Sequence, residues 1–182
     1  MAELPEIHVI AGALIDETSR VLIAQRPRGR HMAGRWEFPG GKLGFGEDRF
    51  EGLRRELAEE LGITVRSARP LIRLYHNYSD RRVLLDFWRV IEYTGTPKGL
   101  DSQAIAWVKT DDLPGHDMLE ADRSIVTALR MPQLVYVISG PAQLAALPAS
   151  EPQTIFWHIA SLPVTQLDAA VVRNARAAGH RI

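Results

Sequence analysis

Between Asp48 and Gly62 the sequence DRFEGLRRELAEELG satisfies its apolar residues only as a helix. On a wheel of about 100° per residue, Leu53, Leu57 and Leu61 fall within about 60° of Phe50 and form one stripe that must be buried. Gly62 stands at the C-cap position, where helices commonly turn into a left-handed residue. Glu56, Glu59 and Glu60, spaced i, i+3 and i+4, gather on the adjacent flank. Their mutual repulsion costs a few tenths of a kcal/mol per pair, roughly. On an arbitrary helix such residues are ordinary solvated glutamates. They become a site if a hard divalent cation sits among them, because such ions take oxygen ligands. The flanking sequence favours the second reading. Pro39-Gly40-Gly41-Lys42 and Glu47 precede the helix, and Arg55 lies beside Glu56. Glycines allow close backbone approach to the helix start and to phosphate. Arg55 pairing with Glu47 would hold the loop against the helix and preorganise the site.

Around this helix the pattern is mixed. Ile7–Ile15 and Val21–Gln25 are β-branched runs separated by Asp16–Arg20, which predicts a hairpin. An Arg-, Gly- and Pro-rich loop spans Arg26–Arg35, and Trp36-Glu37-Phe38 is a short extended piece ending in a breaker cluster. Strands are expected near Leu71–Tyr78, Val83–Tyr93 and Ala104–Val108, and a helix over Glu120–Leu129. Met131-Pro132 marks a boundary, giving domains of residues 1–131 and 132–182. The second part reads as strands at Leu134–Ser139 and Thr154–Ile159 and helices at Pro141–Leu147 and Val164–Ala178, an alternation that suggests a parallel unit. The resulting class is α+β, with a short C-terminal β-α-β-α extension.

Gly41, Glu47, Arg55, Glu56, Leu57, Glu59, Glu60, Gly62 and Ile63 fill every fixed position of G-x5-E-x7-R-E-U-x-E-E-x-G-U, where U is aliphatic. The chain thereby resembles the Nudix family. The resemblance implies an α/β/α sandwich with a mixed sheet between helices. It implies hydrolysis of a nucleoside diphosphate linked to some group X, with Mg²⁺ or Mn²⁺ as cofactor. Glu56, Glu59 and Glu60 are then metal ligands, joined by Gly41, with Glu56 also activating water. Arg55 belongs to the same catalytic set. Gly40 and Gly41 face the substrate, and Lys42 is either a phosphate contact or a solvated lysine after a turn.

The flanks are similar to the MutT-type branch, which hydrolyses 8-oxo-dGTP to the monophosphate and pyrophosphate in nucleotide-pool sanitation. That likeness runs from about Ile7 to Arg130. By it, Arg26 binds phosphate or sugar, against the alternative of a surface arginine at a strand end. Phe38 and Tyr78 lie near the base or in the core. Two positions depart from the branch. Asp101 stands where a loop glutamate ligates metal or activates water, one methylene shorter, and is otherwise a turn former. Asp122 stands where an asparagine reads the base; asparagine both donates and accepts, whereas an ionised aspartate only accepts. The signature itself leaves other nucleotides open, namely ADP-ribose, a dinucleoside polyphosphate or an ordinary NTP, as well as a sensor without turnover. Residues 134–182 are similar to the opening of a thiamine-phosphate-synthase-like (β/α)8 domain, or form an extension packing on the first domain.

Twenty-two basic residues balance twenty-two acidic ones, so no global field draws the chain to nucleic acid or to an anionic membrane. The absence of cysteine excludes disulfides and a thiol nucleophile. No stretch approaches the ~20 apolar residues of a membrane span, and MAELPEIHVI lacks a basic n-region. These features predict a cytoplasmic protein; the resemblance adds a small nucleotide as partner, to a monomer or homodimer. The six histidines are scattered and predict no histidine metal cluster.

Overall fold

The computed structural model describes residues 4–131, the backbone of 135–138 and 154–157, and Arg173. The chain divides into two compact units, residues 1–130 and 131–182.

In the first unit, β1 (Glu6–Ala13) lies inside its sheet, and the consecutive residues Ile10–Ala13 are buried on both faces. It pairs parallel with β6 (Arg82–Thr94) and antiparallel with the short β4 (Gly40–Lys42); β5 (Thr64–Asn77) pairs antiparallel with β6 at the other edge. This mixed sheet has the order β4-β1-β6-β5. A second, antiparallel sheet has the order β3-β2-β7, from β2 (Arg20–Gln25), β3 (Trp36–Glu37) and β7 (Ile105–Lys109).

Helix α1 (Arg49–Leu61) lies where the periodicity predicts, capped by Asp48 at one end and by Gly62 (φ 68°) at the other. Its Leu53, Leu57 and Leu61 pack with Ile10, Leu14, Leu22, Trp88 and Val90. Helix α2 (Arg123–Leu129), entered through a 3₁₀ turn at Glu120–Asp122, packs Ile125, Val126 and Leu129 with Phe38, Phe87, Val21 and Val108 in a separate cluster. The α+β class and the mixed sheet are as expected. Among the described residues no helix is long and apolar enough to cross a membrane.

Three local differences have physical causes. The β1–β2 hairpin narrows to one bridge, Ile15 with Val21, because the two strands diverge into different sheets. The Asp16 carboxylate holds the turn by accepting from the Thr18 and Arg20 amides. Gly40–Lys42, read from sequence as a breaker, is an edge strand; Gly40 adopts φ 150° and presses so closely on Ile10 and Ala11 that no Cβ fits there. Strand β5 starts at Thr64 rather than Leu71, accommodating Pro70 through irregular register, as an edge strand can.

In the second unit, β8 (Val135–Ile138) and β9 (Thr154–Trp157) pair parallel, as the alternation suggests. The helices expected at 141–147 and 164–178, and with them the (β/α)8 resemblance, lie outside the described residues.

Asp86, on the α1 face of β6, is fully buried and accepts from Arg49 Nε (2.5 Å), Arg49 Nη2 (2.8 Å) and Trp88 Nε1 (2.8 Å). Arg49 is the first residue of α1, so this pair pins the helix start to the sheet. Asp86→Asn keeps an acceptor for Trp88 but loses the charge-assisted pair. A stability loss of about 2 kcal/mol is expected, read as a lowered denaturation midpoint; an unchanged midpoint would remove the anchoring role.

Candidate active site

Strands β1, β2, β4 and β6 with the 3₁₀ turn at Glu120–Asp122 enclose a cavity of about 510 Å³. Its lining contains Arg26, Phe38, Gly40, Gly41, Lys42, Glu56, Glu59, Glu60, Tyr78, Asp101 and Asp122. Thus eleven positions expected from sequence meet in one place, although they span nearly a hundred residues of chain.

One end is carboxylate-rich. Glu56 is buried with its carboxylate against Gly41, where any Cβ would overlap it. Glu60 accepts from the Gly40 amide (3.0 Å). Burial pushes the Glu60 pKa up to about 7, against the Gly40 hydrogen bond, and the nearby Glu37, Glu56 and Asp101 push the same way. Crowded, partly desolvated carboxylates of this kind favour a compensating cation. The all-oxygen donor set, with the Glu56 carboxylate lying directly against the Gly41 backbone, fits a hard divalent ion. The ligand set is nevertheless not preassembled: among the described residues, no three His, Asp or Glu side chains converge closely enough to hold a metal ion. Glu56 is turned to Arg55 Nη1 (2.7 Å), Glu59 to the same nitrogen (3.4 Å), and Glu60 to the Gly40 amide.

Arg55, grouped with the catalytic set from sequence, does not line the cavity. It lies behind it, donating to both Glu47 oxygens (2.8 and 2.9 Å) and to the Lys42 carbonyl (3.1 Å). These bonds raise the Arg55 pKa and hold the Glu47 carboxyl down at about 2. The Glu47–Arg55 pairing expected from sequence is present, and Arg55 acts by orienting Glu56 and the β4–α1 loop.

Elsewhere the lining combines Phe38 and Tyr78 with a buried acid, Asp122. Phe38 belongs to the core, edge-to-face with Phe87 (4.9 Å between centroids), and also lines the cavity. Asp122 is buried and accepts from the Phe38 amide (3.4 Å). Burial pushes its pKa up to about 8, assisted by Glu37. Tyr78 is half-buried nearby, its pKa raised by burial and by Asp122.

Arg26 lines the cavity with its guanidinium already engaged. Its guanidinium pairs with Glu37 through Nη1 and donates from Nε to the His31 carbonyl (2.8 Å). It therefore ties the 26–35 loop to Glu37 of β3 at the cavity wall. Glu37 itself escaped the sequence reading. It sits largely buried, its pKa raised by burial against Arg26, and is electrostatically coupled to both Glu60 and Asp122. Its signal was a lone acid inside the extended Trp36-Glu37-Phe38. Arg30, Arg81 and Gln103 also line the cavity without having been singled out.

Gly41→Ala is expected to displace Glu56 and lower kcat about 100-fold, the cost of an ångström-scale misplacement. Steady-state kinetics with an unchanged melting curve would establish this; normal kcat would show the Gly41–Glu56 contact to be dispensable.

Comparison with known proteins gives consistent results. Residues 10–128 match the NUDIX domain family. An 8-oxo-dGTP diphosphatase of Proteus vulgaris is 43% identical over 93 residues, 51% of this chain and 83% of that protein. A CTP pyrophosphohydrolase of Escherichia coli (strain K12) is 34% identical over 122 residues, 67% of this chain and 90% of that one. The solved MutT structure described for Aliivibrio salmonicida and Vibrio cholerae is similar at 34% identity and a TM-score of 0.59, covering 68% of this chain and 96% of its own. A family match across the sheets, the carboxylate helix and the buried acid alike makes this chain a member of the Nudix hydrolase family, whose enzymes work with a divalent cation.

Proposed function

We propose that this chain hydrolyses a nucleoside triphosphate to the monophosphate and pyrophosphate, with 8-oxo-dGTP as its substrate, and so clears oxidised precursors from the cytoplasmic nucleotide pool. The observation that carries this reading is one cavity with two chemically distinct ends, three helix-borne glutamates at one and buried Asp122 at the other. The names of the relatives support the same reading.

Mg²⁺ or Mn²⁺ is the cofactor on this reading, held by Glu56, Glu59, Glu60 and Asp101 beside the Gly41 backbone; when bound, such an ion acidifies water and neutralises charge on phosphate oxygens. Glu56, buried at the cavity wall, takes the proton of the attacking water on a carboxylate oxygen. Lys42, exposed at the end of β4, presents its ammonium to the phosphates. At the far end Phe38 and Tyr78 supply an apolar wall that excludes water. Asp122, neutral below about pH 8, both donates and accepts, which restores what an asparagine would offer.

A nucleotide panel with Mg²⁺ tests this. The kcat/KM for 8-oxo-dGTP is expected to exceed that for dGTP about 100-fold, the scale of a difference read by buried polar groups. A ratio near one removes the sanitation role and leaves the diphosphatase. A second reading, a pyrimidine triphosphate such as CTP, is favoured by the CTP pyrophosphohydrolase relative. Greater turnover of CTP than of 8-oxo-dGTP would establish it instead.

A further inference from the structure

The turn carrying Asp101 is strapped to the end of α1. Helix ends leave carbonyls without intrahelical partners, and here the Glu60 carbonyl accepts from the Leu100 amide (2.9 Å) and from Gln103 Nε2 (3.1 Å), while the Leu61 carbonyl accepts from the Lys98 amide (3.0 Å). Ser102 adopts φ 60°, and Gly99 lies so close over Gln103 that a Cβ there would overlap its carbonyl oxygen. The turn is therefore tight. Its attachment point is the backbone of Glu60, whose own side chain feels the Asp101 charge.

Of the three donors in these bonds, two are backbone amides and the third is the side chain of Gln103, which also lines the cavity. Its carboxamide orientation is set by Nε2 facing a carbonyl. Oε1 is consequently buried and finds no donor among the described residues. Burying an amide oxygen without a donor is unfavourable, so a residue serving packing alone would be apolar at this position. We infer that Gln103 is a positioning residue: its carboxamide N–H, by bonding the Glu60 carbonyl, sets the distance of Asp101 from the glutamate row. This rests on the reading that Asp101 belongs to the metal-binding set.

The test is a double-mutant cycle read by Mn²⁺ titration of the substrate-free protein, following free Mn²⁺ by EPR, with kcat and thermal melting measured alongside. Gln103→Met keeps the volume and removes the donor. It is expected to weaken Mn²⁺ binding about tenfold, the scale seen when a residue orienting a metal ligand is lost. Asp101→Asn weakens it similarly, and the double variant is no weaker than Asp101→Asn alone, because residues acting through one another are not additive. Gln103→Leu, which likewise removes the donor, gives the same pattern if Gln103→Met does not fold. Losses that multiply overturn the inference, as does a lowered melting temperature with unchanged Mn²⁺ affinity. Unchanged affinity in Asp101→Asn overturns it too, since Gln103 then has nothing to act through. Glu60→Gln separates the two failures. Mn²⁺ binding lost there, with multiplying losses at positions 101 and 103, removes only the role of Gln103; Mn²⁺ binding and turnover retained there removes the metal site itself.

Discussion

Glu60→Gln is expected to abolish hydrolysis while the protein stays folded. The carboxamide keeps the volume of the carboxylate and an oxygen that can accept from the Gly40 amide, now 3.0 Å away. What disappears is an anionic oxygen at the carboxylate end of the cavity. Losing a residue behind a metal ligand costs roughly 10- to 100-fold, and losing a ligand costs more, so kcat should fall beyond about 100-fold. Glu59→Gln should behave alike, with less effect on the apo geometry, because Glu59 is exposed and only 3.4 Å from Arg55. Steady-state kinetics with thermal melting decides the matter. Near-normal turnover in either variant would sink the metal-site assignment; a collapsed melting curve would show a structural role.

The second large effect concerns pH and Asp122. Burial, with Glu37 adding to it, lifts this carboxyl from 3.8 to about 8. An acid held above its ordinary value binds its proton more tightly in the folded chain. The stability it brings is complete below about pH 4 and is lost as the pH climbs through about 8. Recognition takes the same course. The neutral carboxyl both donates and accepts, but once ionised it only accepts and repels the oxygens of an oxidised purine. For the parent enzyme, kcat/KM for the oxidised nucleotide should fall about tenfold per pH unit above pH 8. In Asp122→Asn, which cannot ionise, that limb should flatten. Asp122→Leu removes two buried hydrogen bonds at roughly 1 to 1.5 kcal/mol each, a loss of about 100-fold in kcat/KM below about pH 8. An alkaline limb that persists in Asp122→Asn would place the titration elsewhere.

Much of this was legible in the sequence because local rules and global function coincide in α1. Its leucines must be buried, its glutamates cluster on the neighbouring flank, and Gly62 ends it. The edge strand Gly40–Lys42 was hidden, because two glycines and a proline look like a turn until β1 is present to pair with them. The splayed β1–β2 connection was hidden for the same reason: it depends on which sheet each strand joins. Arg26 illustrates a different limit. The family resemblance brought it to the site, but only the fold reveals that Glu37 and the His31 carbonyl engage its guanidinium. Glu37 and Gln103 carry no motif of their own, and their roles arise from neighbours distant in sequence.

The stretch from Glu37 to Gly41 acts as a ruler. The Phe38 amide holds Asp122, and the Gly40 amide holds Glu60. Those two amides lie two residues apart, at most about 7 Å, across a bend at Pro39. Between them, Pro39 has a ring-locked φ, and its carbonyl is tied to the Gly12 amide (3.0 Å). The gauge is therefore stiff. On the proposed function, the phosphorus–oxygen bond that meets the glutamates would be set by its distance from the base, and much less by the groups beyond it. Nucleotides with the same base and sugar should be cut at the same bond whatever the length of their phosphate tail, whereas one methylene inserted between sugar and phosphate should spoil the alignment.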